Sequence, residues 1–263
     1  SDVYKGQVET RLTKAEKGNI TVKCENNRYT ISGTIPKRKD RYRLYLSIAR
    51  PDSLFITDLQ EKFQTAGIEV KNSNLGQLSE TTWFHYPSDY LGDIVHSLNV
   101  RSDNLYAESI LRLLSLSAHE KGSVEKGIDI IRKYWQNYEA DSLELFMYDG
   151  SGLARNNKVS AKYLNCVLKE TARDSLIGEY FVQTLPLAGK EGSVSTFMKH
   201  GELPGELRLK SGSMSDVHAY AGYYTTPQNR YAIVVMINNY TCTRAQLKQK
   251  ISALLTQVLS KKE

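Results

Sequence analysis

Apolar and polar residues alternate with period two in three stretches near the start of the chain. Ile20, Val22 and Cys24 share one face, and after an Asn26-Asn27 turn Tyr29, Ile31, Gly33 and Ile35 repeat the pattern. A third stretch alternates from Arg41 through Leu44 and Leu46 to Ile48. Period two marks a half-buried strand. Pro51-Asp52-Ser53 then opens a helix in which Leu54, Phe55, Asp58, Leu59, Phe63 and Ala66 fall near helical spacing, and Gly67 closes it. Residues 71–82 are polar and rich in Asn and Ser, which predicts a loop.

The period then changes. Helices are predicted over 89–96, 104–120 and 123–138. The second carries an apolar face of Leu105, Ile110, Leu113, Leu114 and Leu116, and the third one of Ile128, Ile131, Tyr134 and Trp135. Leu145–Tyr148 reads as a short strand entering the turn Asp149-Gly150-Ser151-Gly152, and Ser160 caps a helix through Thr171. Strands are predicted around Lys210–Ser213, over 218–226 and over 230–238, with Pro227-Gln228-Asn229 as a turn. The run Tyr231–Ile237 is almost wholly apolar, as in a strand buried on both faces. Residues 243–259 form a last amphipathic helix through Ala245, Leu247, Ile251, Leu254, Leu255 and Val258. The order of elements is β-rich, helical, antiparallel β, then helix. It divides into a small β-containing part, residues 1–75, and an α/β part, residues 76–263.

Composition adds limits. The chain of 263 residues is 40% hydrophobic and 24% charged, ordinary for a globular protein with a sizeable core. It has no apolar run long enough to span a bilayer. It does not open with a basic segment followed by an apolar one, and it starts at Ser1 rather than Met, so it is expected to be processed or a piece of something longer. Net charge is +6, concentrated early: residues 1–50 hold 12 Lys and Arg against 5 Asp and Glu, with a peak at Lys37–Arg43. A patch for nucleic acid or another polyanion is one reading of that peak. A solvated loop leading into an edge strand is the simpler one, since charges protect strand edges and no nucleic-acid motif accompanies it. Cys24, Cys166 and Cys242 are isolated, and the five histidines show no metal-ligand spacing, so no metal is expected.

Two short strings carry candidate chemistry. In Lys210-Ser211-Gly212-Ser213 a cation and a hydroxyl stand at successive strand positions, where they can meet a carboxylate and a reacting hydroxyl. Gly212 lets a substrate backbone lie close, and the N–H beyond it can donate to a developing oxyanion. In Ser102-Asp103-Asn104 a hydroxyl held at a helix start can move a proton, and the Asn104 amide can bind a carbonyl; Ser102 also reads as the helix N-cap. Each string alone is weak, but the pair in this order is far more specific.

Together they resemble the Ser-x-Asn and Lys-Thr/Ser-Gly motifs of penicillin-binding proteins and serine β-lactamases. Further segments are similar to class C low-molecular-mass penicillin-binding proteins, the D-alanyl-D-alanine carboxypeptidases and endopeptidases. Asp149–Arg155 with Val159-Ser160 resembles their DGSGLSR…VS stretch. Leu185–Ser193 resembles LPxAGxxGT, and Lys210–Tyr223 resembles KTGSLxxVxALAGY. The run Ile48–Val70 is similar to the segment ahead of their Ser-x-Asn motif, so the resemblance covers about residues 45–263.

The resemblance implies an α+β transpeptidase fold, an antiparallel sheet with flanking helices, here incomplete and preceded by part of a β-rich inserted domain. It implies a serine that attacks the carbonyl between two terminal D-Ala residues of a peptidoglycan stem peptide and forms an acyl-enzyme, with β-lactams as substrate mimics and no cofactor. Ser102 would relay a proton to the leaving D-Ala, Asn104 would orient the acyl chain, and Lys210 would supply positive charge. Ser211 would offer its hydroxyl to the substrate carboxylate across Gly212, and the Ser213 N–H would be one oxyanion donor. The location implied is periplasmic or otherwise extracytoplasmic.

One motif departs. The family has its Ser-x-x-Lys nucleophile ahead of Ser102, whereas the only such string here is Ser123-Val124-Glu125-Lys126, which follows it and opens a helix. That string is expected to be a chance match. The expectation is the C-terminal portion of a longer enzyme, inactive by itself, whose uncovered apolar surface favours self-association. The alternatives are a natural pseudoenzyme or cell-wall peptide-binding module and, from a different class, a binder of anionic polymers.

Overall fold

A computed structural model describes residues 19–25, 28–34, 50–69, 85–118, 121–138, 144–198 and 203–261. The predicted strand over 41–48, the loop over 71–82 and the basic Lys37–Arg43 segment lie outside them. The chain divides into two compact units, Ser1–Trp83 and Phe84–Glu263.

In the first unit β1 (Asn19–Glu25) and β2 (Arg28–Thr34) form an antiparallel hairpin in which Val22 faces Ile31 and Ile20 faces Gly33. The alternation seen in sequence is the alternation of faces. Helix α1 (Pro51–Thr65) starts at the expected proline, with Arg50 at its N-cap paired to Asp52 at 3.0 Å. None of its residues is buried: Leu54, Leu59 and Phe63 are half-covered and Phe55 is exposed.

The second unit is built on a three-stranded antiparallel sheet in the order β5 (Glu206–Met214), β6 (Val217–Thr225), β7 (Arg230–Asn238). Its two faces follow from strand parity. Leu207 and Leu209 of β5 and Tyr220 and Tyr224 of β6 turn one way. There they meet Val194, Phe197 and the Leu247, Ile251, Leu255 and Leu259 stripe of α7 (Arg244–Leu259). Tyr223 turns the other way, onto Leu168 of α5 (Ala161–Arg173) and Val182 of α6 (Gly178–Thr184). Its hydroxyl donates to the Leu168 carbonyl at 2.7 Å, and burial pushes it well above the ordinary tyrosine range.

Three expectations change here. Tyr231–Ile237 does pack on a core through each face, Tyr231, Ile233, Val235 and Ile237 on the α7 side and Ala232 and Val234 on the α5 and α6 side, but its residues are only half-buried, since β7 lies at the margin of the sheet among the described residues. The strand at Leu145 extends only to Phe146, paired with Lys158–Val159 as β3 and β4. Helix α6 falls in a stretch without a strong period and was not anticipated.

Helix α7 carries both halves of a capping box. The Thr243 hydroxyl accepts from Gln246 N, and the Gln246 side chain accepts from Thr243 N at 3.0 Å. Thr243→Ala removes one half; a loss of about 1 kcal/mol is expected, read as a melting temperature lower by about 2–4 °C. An unchanged melting temperature would mean that α7 is held by its apolar stripe alone.

Candidate active site

The helices that carry Ser102 are fixed from both ends. Helix α2 (Leu91–Arg101) is tied to α6 by Asn99, whose buried side-chain amide donates to Thr184 Oγ1 at 3.1 Å. It ends at Ser102, which adopts the left-handed conformation (φ 54, ψ 51) as C-cap. That backbone region costs a non-glycine residue about 1–3 kcal/mol and concentrates at functional positions. Ser102 is therefore not the N-cap of the next helix. Asp103 takes that place, its side chain accepting from Tyr106 N at 3.1 Å, and α3 (Asn104–Ser117) begins at Asn104. All three residues of Ser102-Asp103-Asn104 are good N-caps in isolation, so the string does not reveal which one acts. The turn between α2 and α3 leaves Ser102 and Asn104 exposed.

Lys210 reaches this turn from β5. Its Nζ donates to Ser102 Oγ at 2.9 Å and to the Ser211 carbonyl at 2.9 Å. Two motifs separated by more than a hundred residues thus meet through a side-chain hydrogen bond. Burial holds the Lys210 ammonium below its ordinary range.

The outer edge of β5 is covered only in part. Leu209 N donates to the Pro186 carbonyl at 2.9 Å and Ala188 N to the Leu207 carbonyl at 2.8 Å, so odd-numbered residues turn their backbone groups away from β6. By the same parity the N–H and carbonyl groups of Ser211 and Ser213 turn outward. Among the described residues no strand pairs with that edge beyond Leu209. A Cβ placed on Gly212 would meet nothing within 4 Å, so open space lies beside it. Side chains of Ser211 and Ser213 share the α7 face, and each has a partner. Ser211 Oγ lies 2.6 Å from Ser193 Oγ, and Ser213 Oγ lies 3.2 Å from His218 Nδ1. Ser193 and His218 were not among the residues expected from sequence. Ser193 closes the quoted Leu185–Ser193 segment, and the two-residue turn Ser215-Asp216 sets the register that puts His218 opposite Ser213. Those were the signals available.

Other quoted motif residues support the site from outside. Asp149 accepts from Gly152 N at 2.7 Å, Ala154 N at 2.6 Å and Asn157 Nδ2 at 2.9 Å, which rigidifies the glycine turn. Glu108 of α3 accepts from both N and Oγ of Ser151 and ties that turn to the helix.

Ser123 has a structural role. It is the N-cap of α4 (Val124–Gln136), accepting from Lys126 N and donating to Glu125 at 2.6 Å. Its backbone N–H donates to Ser115 Oγ near the C-terminal end of α3. Ser102 lies at the other end of that helix, on the order of 15–20 Å away at 1.5 Å per residue. Among the described residues no group of three or more His, Cys, Asp or Glu side chains is placed to hold a metal ion.

Comparison with known proteins adds the following. The family described as D-Ala-D-Ala carboxypeptidase 3 (S13) matches residues 4–261, starting well ahead of residue 45 where the motif resemblance begins. The D-alanyl-D-alanine carboxypeptidase DacB of Haemophilus influenzae is 26% identical over 244 residues, 88% of this chain and 50% of that protein. The D-alanyl-D-alanine carboxypeptidase of an Actinomadura species is 23% identical over 227 residues, 82% of this chain and 42% of that protein. The chain spans about half the length of the curated relatives it matches. Among solved structures, penicillin binding protein 4 of H. influenzae, complexed with a β-lactam, superposes with a TM-score of 0.76 at 23% identity, over 94% of this chain and 59% of that one. A predatory endopeptidase of Bdellovibrio bacteriovorus superposes with a TM-score of 0.55 at 15% identity, over 85% and 64%. At these identities the structural likeness is one of fold, an antiparallel sheet flanked by helices.

Proposed function

The chain belongs to the D-Ala-D-Ala carboxypeptidase 3 (S13) family, and from that premise we propose that it supplies the proton-relay and carboxylate-binding half of a serine acyl-transfer site acting on peptidoglycan stem peptides. The observation that carries the proposal is the 2.9 Å contact between Lys210 Nζ and Ser102 Oγ beside the open edge of β5.

The chemistry follows from the geometry. A stem peptide ending in D-Ala-D-Ala lies along β5 as an added strand, paired to the outward backbone groups of Ser211 and Ser213. Its terminal carboxylate meets the hydroxyls of Ser211 and Ser213 and the field of Lys210. A nucleophilic serine, from a Ser-x-x-Lys segment other than Ser123-Val124-Glu125-Lys126, attacks the carbonyl between the two D-Ala residues. The Ser213 N–H and the nucleophile's own N–H accommodate the oxyanion. The C–N bond breaks, and the leaving amine takes a proton through Ser102, which Lys210 holds by hydrogen bonding. Asn104 hydrogen-bonds the acyl chain. Water then hydrolyses the ester. A β-lactam would acylate the same serine. The substrate is outside the cytoplasmic membrane, so the site of action is extracytoplasmic.

A second reading has its own support, since Ser123 is an N-cap at the far end of α3: the chain binds the peptide and does not cleave it. Both readings predict that the 263-residue chain binds N-acetylated Lys-D-Ala-D-Ala. In a nuclear magnetic resonance titration the amides of Ser211, Gly212 and Ser213 are expected to shift saturably, with no D-Ala released. An unshifted spectrum from a folded chain would refute the carboxylate site, and release of D-Ala would refute the missing nucleophile.

A further inference from the structure

We propose that Ser193 and His218 are positioning residues that hold the Ser211 and Ser213 hydroxyls toward the carboxylate of a bound peptide, an inference that rests on the acyl-transfer reading above. A hydroxyl has one proton to give, and a carboxylate only accepts. A serine that accepts a hydrogen bond from behind is left with its own proton to send forward. Both serines of β5 have such a partner.

Ser193 Oγ lies 2.6 Å from Ser211 Oγ, a short hydroxyl–hydroxyl contact. The 3₁₀ turn Gly192–Val194 that carries Ser193 is seated by a close approach. Gly192 has φ +51, and a Cβ on it would meet the Val100 carbonyl at 2.4 Å. Val100 is in the last turn of α2, two residues before Ser102. Val194 at the other end of the turn is buried in the α7-side core. Ser193 is thus fixed relative to both Ser102 and β5.

His218 faces Ser213 as its cross-strand partner. Because Ser213 turns its backbone groups outward, the pair is a non-hydrogen-bonded one, in which side chains come closest. His218 is only 2% exposed, with Nδ1 3.2 Å from Ser213 Oγ. Its ring meets Tyr220 edge-on at 4.9 Å, and Tyr220 stacks on Phe197 at 4.3 Å. Nε2 is buried without a partner among the described residues. An orphaned acceptor is tolerated more readily than an orphaned N–H, which favours the tautomer with the proton on Nδ1. That tautomer donates to Ser213 and turns the Ser213 proton outward. Burial, with Lys248 and Arg244 of α7, holds the imidazole neutral. Its neighbours across the sheet, Ser213 of β5 and Ile237 of β7, and Tyr220 of its own strand are uncharged.

The test uses the 263-residue chain and two probes, N-acetylated Lys-D-Ala-D-Ala as the free acid and as the C-terminal amide. The wild-type chain should prefer the acid by about tenfold or more, the worth of hydrogen bonds to a charged group. Ser193→Ala and His218→Leu should each cut that preference by about threefold, one hydrogen bond's worth, while leaving amide affinity within about twofold. His218→Asn, whose side-chain amide can stand in for Nδ1–H, should restore part of it. The His218 ring titration in the wild-type chain is independent of any variant's folding: the acid should raise its pKa, because an added negative charge favours the imidazolium, and the amide should not. If both variants keep the wild-type acid preference, or the ring titration ignores the acid, the positioning role is overturned while the carboxylate site stands. If the wild-type chain shows no preference for the acid, the positioning role and the carboxylate site are both overturned.

Discussion

Lys210→Met is expected to remove recognition of a terminal carboxylate while leaving the chain at least as stable as wild type. Lys210 is the one cation placed against both the Ser102 hydroxyl and the open edge of β5 among the described residues. Loss of a preorganised charge or donor at a reacting centre lowers rate by about 10²–10³-fold, so acylation in the complete protein should fall by that order. Stability should move the other way. Burial disfavours the ammonium in the fold and lowers its pKa, so at neutral pH the unfolded chain accommodates the charge better than the folded one. Between the lowered pKa and the ordinary lysine value the unfolded chain binds more protons, and stability rises with pH across that window. Methionine keeps the aliphatic stem and removes the charge. In thermal melts from about pH 7 to pH 10 the stability advantage of the variant over wild type should shrink as pH rises, a difference that cancels the buried tyrosines both chains share. A variant that melts well below wild type at neutral pH would show that the hydrogen bonds to Ser102 and Ser211 outweigh the burial of charge. Such site residues often trade stability for function.

Gly222→Ala should be the most damaging single methyl in the second unit. A Cβ at Gly222 would lie 2.0 Å from the Arg208 carbonyl and 3.0 Å from Leu209 Cα, all of it backbone of β5. No side chain can rotate away, so the strands must part. Overpacking of this kind costs about 3 kcal/mol, a fall of about 6–12 °C in melting temperature. The displaced segment is immediately before Lys210, so ligand binding should weaken even where the fold survives. Gly212→Ala is the contrast, since nothing lies within 4 Å of its Cβ position. It should fold normally, and if a peptide lies against β5 it should bind that peptide less well. Equal melting temperatures for wild type and Gly222→Ala would contradict the close strand approach.

Much of this was legible in sequence, and the exceptions have physical reasons. Strands β1, β2, β5 and β6, the cap at Ser160 and the final helix follow from period and from capping chemistry, which are local. Ser160 accepts from Tyr163 N as expected of an N-cap. The meeting of Ser102 and Lys210 was expected through a resemblance, since no local rule joins residues 108 positions apart. Ser102 itself was misplaced by one residue because Ser, Asp and Asn are equivalent N-caps in isolation, and only the end of α2 decides among them. The apolar run Tyr231–Ile237 suggested full burial, but apolarity does not report a strand's place in the sheet. Ser193 and His218 fall within the matched segments Leu185–Ser193 and Lys210–Tyr223, but those strings assign them no role. Their importance comes from a turn seated on Val100 and from a hairpin register, both of which are tertiary facts.

The most direct test of the account is penicillin labelling followed by intact-mass analysis. The account predicts no covalent adduct on the 263-residue chain. It predicts a single acyl adduct on the protein translated from the complete reading frame, on the serine of a Ser-x-x-Lys segment outside these residues, and strongly reduced by Lys210→Met. An adduct at Ser123, or labelling of the complete protein that is indifferent to Lys210, would contradict it.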